Sequence, residues 1–123
     1  YENIENFINI ESVSIRDTLY RMESGIIKSF RHKGIELFAK TGSTAGIQAA
    51  HARKLQFQLT TLDAAKTVQH MNIDGWKLHK LTGKNPKNQS IDGHYSVSVN
   101  GNWRLTFYFD GENAVLVDYQ DYH

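Results

Sequence analysis

Residues Tyr95 to His123 read YSVSVNGNWRLTFYFDGENAVLVDYQDYH, and this stretch decides the fold. Three apolar runs are divided by Asn100-Gly101-Asn102 and by Asp110-Gly111-Glu112-Asn113, the pattern of a three-stranded antiparallel meander. Directly opposed residues share a face, and the tightest loop would pair Val99 with Asn102 and set Val97 beside Arg104, mixing core with solvent. A loop one residue longer opposes Val99 to Trp103, Val97 to Leu105 and Tyr95 to Phe107, and asks Asn102 for left-handed backbone. One face is then core. Arg104, Thr106 and Tyr108 line the other, which is expected to be open because a buried, unpaired guanidinium is costly. The third run, Ala114 to Tyr119, is apolar on both sides and leaves its register open. Any antiparallel register still returns the last residues alongside Arg104.

The chain has 123 residues with one proline and no cysteine, enough for a single modest core. Without cysteine there is no disulfide and no thiolate metal site, which fits a reducing cytoplasm, the expected location. No run approaches the ~18 apolar residues of a membrane span. Tyr1 is not an initiating methionine, so the chain is expected to be a fragment or to carry added sequence, and no signal-peptide pattern opens it. Residues 1–25 hold two arginines against five acidic residues, a balance of 2 − 5 = −3, which leaves +1 − (−3) = +4 for residues 26–123. The chain therefore divides into an acidic N-terminal extension of unknown role, weakly helical in pattern, and a basic domain from residue 26.

Ile26 to Phe30 is a short β-branched run that suits a strand, and Lys33 to Ala39 packs helical turns before Gly42. Ser43 or Thr44 can cap a helix running to about Asp63, with Ala52, Leu55, Leu59 and Leu62 inward and Arg53, Lys54, Gln56 and Gln58 outward. A further turn follows to Met71, and Trp76 to Leu81 suits a strand. The element order is β, α, α, β, β, β, β, an α+β arrangement.

IKSFRHKG, TGSTAGIQAAHARKL, LDAA, KLHKL, the SVSVNGNWRLTF hairpin and the terminal DYH resemble the HigB toxins of the RelE/ParE toxin–antitoxin superfamily, over Ile26 to His123. The resemblance implies a RelE-like fold: an N-terminal strand and two to three helices packed on a mostly antiparallel sheet that ends in the meander. It also implies a ribosome-dependent mRNA endoribonuclease that works in the ribosomal A site and is held inactive by a HigA-like helix-turn-helix antitoxin. By matching motifs it carries a catalytic role onto His79, Arg104, Asp121, Tyr122 and His123. Where similar toxins read His-Pro-Leu-Lys-Gly with an active-site lysine, this chain reads His79-Lys80-Leu81-Thr82-Gly83. Threonine carries no charge, so Lys84, in a loop expected to be flexible by composition, is the expected substitute, with Lys80 as rival.

The residues themselves offer no Walker loop, no paired histidines at metal spacing on a helix and no serine elbow; no cofactor or metal is expected. Arginine, histidine, tyrosine and aspartate suffice for metal-free RNA cleavage by the ribose 2′-OH. That reaction needs a base for the hydroxyl, a cation for the phosphorane and an acid for the 5′-oxygen. Lys28, Arg31, Lys33, Arg53, Lys54, Lys80 and Lys87, with Lys77, supply a salt-dependent attraction for RNA and ribosome. His32, His51, His70 and His94 are expected at the surface. Tyr95, Trp103, Phe107 and Phe109 are expected in the core, and Tyr122 is the stacking candidate. Two other classes stay open: a ParE-like gyrase poison without a nuclease site, and a catalytically impaired binding module.

Overall fold

The computed structural model describes residues 27–122. In chain order these form helix α1 (Lys33–Thr41), a 3-10 turn (Ala49–His51), helix α2 (Ala52–Ala64), a second 3-10 turn (Val68–Met71), and strands β1 (His79–Lys80), β2 (Tyr95–Asn100), β3 (Trp103–Asp110) and β4 (Asn113–Asp121). The strands make an antiparallel sheet in the order β1-β2-β3-β4. Outside β4, Ile27 and Phe30 bridge in parallel to Ala114 and Val117, and Lys28 N–H and Arg31 N–H donate to those two carbonyls at 2.8 Å. The expected first strand is therefore an edge segment on the far side of the meander. Ile26 and the helical pattern of the extension lie outside the described residues.

Helix α1 begins where His32 takes extended backbone and its Nδ1 accepts from Ile35 N–H at 3.1 Å, and ends where Gly42, at φ +82, turns left-handed and donates to Phe38 O. Ile35 is fully buried. Helix α2 buries Leu55, Leu59 and Leu62 as their spacing predicts, but it starts at Ala52, not at Ser43 or Thr44. Gly46, in the connecting loop, lies backbone to backbone against Gly34, so close that a Cβ on either would overlap the other. Gln58 also departs from the outward face expected for it. It is fully buried, and its Nε2 donates to Ser98 O at 2.8 Å, fastening α2 to β2.

The core lies between these helices and one sheet face, with Val97, Leu105, Phe107, Ala114 and Val117 fully buried. Tyr95, Trp103 and Phe109 pack against it, as alternation predicts. The expected Trp76–Leu81 strand shrinks to His79–Lys80, while Trp76 enters the core and its carbonyl accepts from Ser98 N–H at 2.7 Å.

Two bulges set the register. Tyr95 opposes Phe107 and Val97 opposes Leu105 as expected, but Asn100, not Val99, opposes Trp103, because the extra residue sits in β2 between Ser98 and Asn100 and not in the loop. Gly101, at φ +56, takes the left-handed position expected of Asn102; glycine does so without steric cost. The second irregularity, between Thr106 and Tyr108, places an extra residue on β4, where Leu116 adopts φ +56. Because side chains alternate faces, one inserted residue inverts everything after it. Val117 and Tyr119 therefore enter the core, and Asp118 and Gln120 turn to the other face.

Candidate active site

The face opposite the helices is polar and ordered in rows. His79 pairs with Ser96, Ser96 with Thr106 and Thr106 with Asp118. Opposed residues share a face, so these side chains form one transverse line. Phe30 pairs with Val117 on the core side, so Arg31 stands beside Asp118 at the end of the same line. The next row is Ser98, Arg104 and Gln120, and Tyr122 follows by alternation, its N–H continuing the ladder to Asn102 O at 2.9 Å.

His79 is exposed, and its Nδ1 lies 3.3 Å from Lys77 O and 3.5 Å from Ser96 Oγ. A carbonyl only accepts, so the first contact requires the proton on Nδ1, and in the neutral imidazole the lone pair is then on Nε2. Arg104 is half-buried, and its Nη1 donates to Gly101 O at 2.7 Å and Trp103 O at 3.1 Å. Those two bonds hold the guanidinium plane and leave Nη2 and Nε without a hydrogen bond among the described residues. Burial, reinforced by the Asp118 charge and opposed by Arg31, pushes the Tyr122 hydroxyl above the usual phenol value, so Tyr122 is a neutral donor.

The sheet thus brings His79, Arg104 and Tyr122 to one face. Asp121 pairs with Trp103 and falls on the opposite, core-side face, so the terminal tripeptide is divided between faces; His123 lies outside the described residues. Lys84 lies on the hairpin that follows β1, bridged to Ser90, and no hydrogen bond joins it to Arg104 among the described residues.

The loop carrying Lys84 is also not the flexible segment its composition suggests. It is a hydrogen-bonded hairpin in which Lys84 bridges Ser90, Ile91 N–H donates to Gly83 O at 2.9 Å, and Asn85 Oδ1 accepts from Lys87 N–H and Gln89 N–H, each at 2.9 Å. The side-chain amide of Asn85 satisfies backbone donors that would otherwise keep the loop solvated and mobile. Arg31 Nη2 donates to Ser90 O at 3.3 Å. Arg31 stands three strand spacings from β2, so the hairpin must bend across the polar face to meet it.

Among the other basic residues, Lys87 rides on this hairpin and its charge acts on His32. Arg53 and Lys54 lie on α2, in the helical layer, with Lys33 exposed on α1 and Lys28 exposed on the edge segment. Lys80 pairs with Tyr95 on the core-side face, so it diverges from His79 as adjacent strand residues do.

The histidines correct an expectation. His51 and His94 are buried and His32 is half-buried, leaving His70 exposed. His51 Nδ1 meets Tyr119 Oη at 2.7 Å, and the His94 ring lies 5.3 Å from that of Tyr108. Burial is the leading cause that lowers the pKa of all three. Isolated histidines carry no periodic signal, so only long-range packing could reveal them. Sequence reasoning also missed Asp118 and Gln120, both buried on the polar face; neither Nε2 nor Oε1 of Gln120 has a hydrogen-bond partner among the described residues. Alternation along β4 would have found them had the Leu116 bulge been visible.

The profile of a family described as the RelE-like toxin of type II toxin–antitoxin system HigB matches residues 28–123. Endoribonuclease HigB of Proteus vulgaris is 36% identical over 98 residues, which is 80% of this chain and 100% of that protein. With the α+β architecture and the histidine–arginine–tyrosine face already in place, this match over most of its length makes the chain a member of the HigB-like family of RelE-like toxins of type II toxin–antitoxin systems.

Proposed function

We infer that this toxin is an endoribonuclease whose active centre is the polar sheet face, and that it cuts mRNA on the ribosome by attack of a ribose 2′-OH on the adjacent phosphate. The observation that carries this reading is the register, which sets His79, Arg104 and Tyr122 on one face. His79, with Nδ1 on the Lys77 carbonyl, has the tautomer of a general base at Nε2. The held Arg104 fork suits the equatorial oxygens of the phosphorane, where charge accumulates. Tyr122 suits stacking on a splayed base or donation to phosphate. On the terminal motif, His123 is assigned the acid that protonates the 5′-oxygen, and Asp121, on the core-side face, is assigned the positioning of the terminal strand and not a contact with the RNA. Arg53, Lys54, Lys33, Lys28 and Lys80 serve the approach to ribosomal RNA.

A toxin of a type II system has an antitoxin partner. A HigA-like helix-turn-helix protein is proposed for it, and the A site of the ribosome for its target, which sets its work in the cytoplasm. No helix among the described residues is long and apolar enough to cross a membrane. Primer extension on mRNA translated in a reconstituted system tests the reading. Cuts that require ribosomes are expected. Absence of cuts, or DNA breaks that require gyrase, would replace it with another mechanism.

A further inference from the structure

Arg104 brings one guanidinium to the polar face, and a phosphorane spreads its charge over several oxygens, so a second cation on that face would share it. We propose that Arg31 is that cation, a phosphate ligand on the opposite side of Arg104 from His79. This rests on the nuclease reading above and gives a specific place in the site to a residue that the sequence marks only as one of several basic residues attracting RNA.

The placement follows from pairing. Phe30 bridges Val117 in parallel, which sets Arg31 beside Asp118 and ends the row that His79 begins. Arg104, one row on, stands on β3, two strands from His79 on β1 and two from Arg31 on the edge segment. At ~4.8 Å between strands and ~3.3 Å per residue, each lies roughly 12 Å from Arg104 between Cα atoms, a gap that two long side chains and a phosphodiester fill.

Arg31 makes one long side-chain bond, 3.3 Å to Ser90 O, and forms no ion pair with a carboxylate of the described residues. Its guanidinium therefore keeps donors for an anion, and its plane can fork onto phosphate as a lysine cannot. Gln120 lies on the intervening strand, one row on, nine-tenths buried with neither amide atom partnered. This strip thus carries hydrogen-bonding capacity that the described residues do not use, as suits a place where an anion binds.

The test is single-turnover cleavage of mRNA on programmed ribosomes by the full chain and by Arg31→Ala, Arg31→Lys, Arg31→Met and Lys84→Ala, with thermal unfolding of each. Arg31→Ala is expected to slow cleavage by about tenfold to a hundredfold, in line with loss of one charged transition-state donor. Arg31→Lys should recover part of this and Arg31→Met none, with unfolding temperatures close to that of the unsubstituted chain. Wild-type cleavage by Arg31→Ala overturns the proposal. So does full recovery in Arg31→Met, which would mean that the stem only props the hairpin, or a larger loss in Lys84→Ala than in Arg31→Ala. An unsubstituted chain that cuts nothing on ribosomes instead removes the nuclease reading itself.

Discussion

Arg104 donates from Nη1 to the carbonyl oxygen of Gly101 at 2.7 Å, closing its guanidinium onto the turn of its own hairpin. The side chain is held before any ligand arrives, so little rotamer entropy remains to be lost on binding phosphate. Gly101 can present that carbonyl because it is the left-handed residue of the turn.

Arg104→Ala is expected to lower single-turnover cleavage by about 10² to 10³, the usual effect of removing one preorganised oxyanion donor. Arg104→Lys should recover little, because an ammonium cannot bond Gly101 and fork onto two phosphate oxygens together. Near-complete recovery with lysine would reduce the role to simple charge.

His123→Ala, or deletion of that residue alone, should slow cleavage by roughly 10² to 10⁴ while fold and ribosome binding persist, the range for a positioned proton-transfer group. An unchanged single-turnover rate would take His123 out of the mechanism.

We propose that residues 1–25 form an extension the chemistry does not need, since their balance of −3 opposes attraction to RNA. A chain of residues 26–123 should cut at least as fast as the full chain. Slower cutting by a shortened chain with an unaltered circular dichroism spectrum and melting temperature would give the extension a part in the site.

Gly34→Ala should destabilise the fold, although alanine in a helix is ordinarily worth up to ~1 kcal/mol over glycine. A Cβ there overlaps the Gly46 backbone, and forcing packed backbones apart costs about 1–3 kcal/mol, so the steric effect outweighs the propensity. Denaturant unfolding of Gly34→Ala and of Gly46→Ala measures this. A raised midpoint in Gly34→Ala would mean the two backbones separate freely.

Stability should fall as pH drops from about 7.5 to 5.5, because burial lowers the pKa of His32, His51 and His94 in the folded chain. Below the unfolded histidine value of ~6.5 the unfolded chain binds more protons than the folded one, so acid favours unfolding. The carboxylate of Glu36, lowered by its bond from Lys40, loses its contribution only at more acid pH, below this window. Urea midpoints at the two pH values check the trend, and His94→Gln should flatten it. A midpoint independent of pH would mean these histidines protonate freely in the folded protein.

The sequence by itself determined the meander, its two turns, the core face of β2 and β3, the buried leucines of α2 and the family. Each is carried by local periodicity or by a contiguous motif, and Val97, Leu105 and Phe107 announce their shared face by alternation alone. Tertiary structure decided where the polar face closes. Leu116 takes a left-handed conformation that no bulky side chain favours by itself, held by pairing on both sides of β4, with its N–H donating to Ser29 Oγ at 2.9 Å. That single inversion put Asp118, Gln120 and Tyr122 beside Arg104 and sent Asp121 to the other side. Parallel pairing across more than eighty residues of chain brought Arg31 to the same face, a contact for which local sequence has no code because it depends on which edge of the finished sheet is left open.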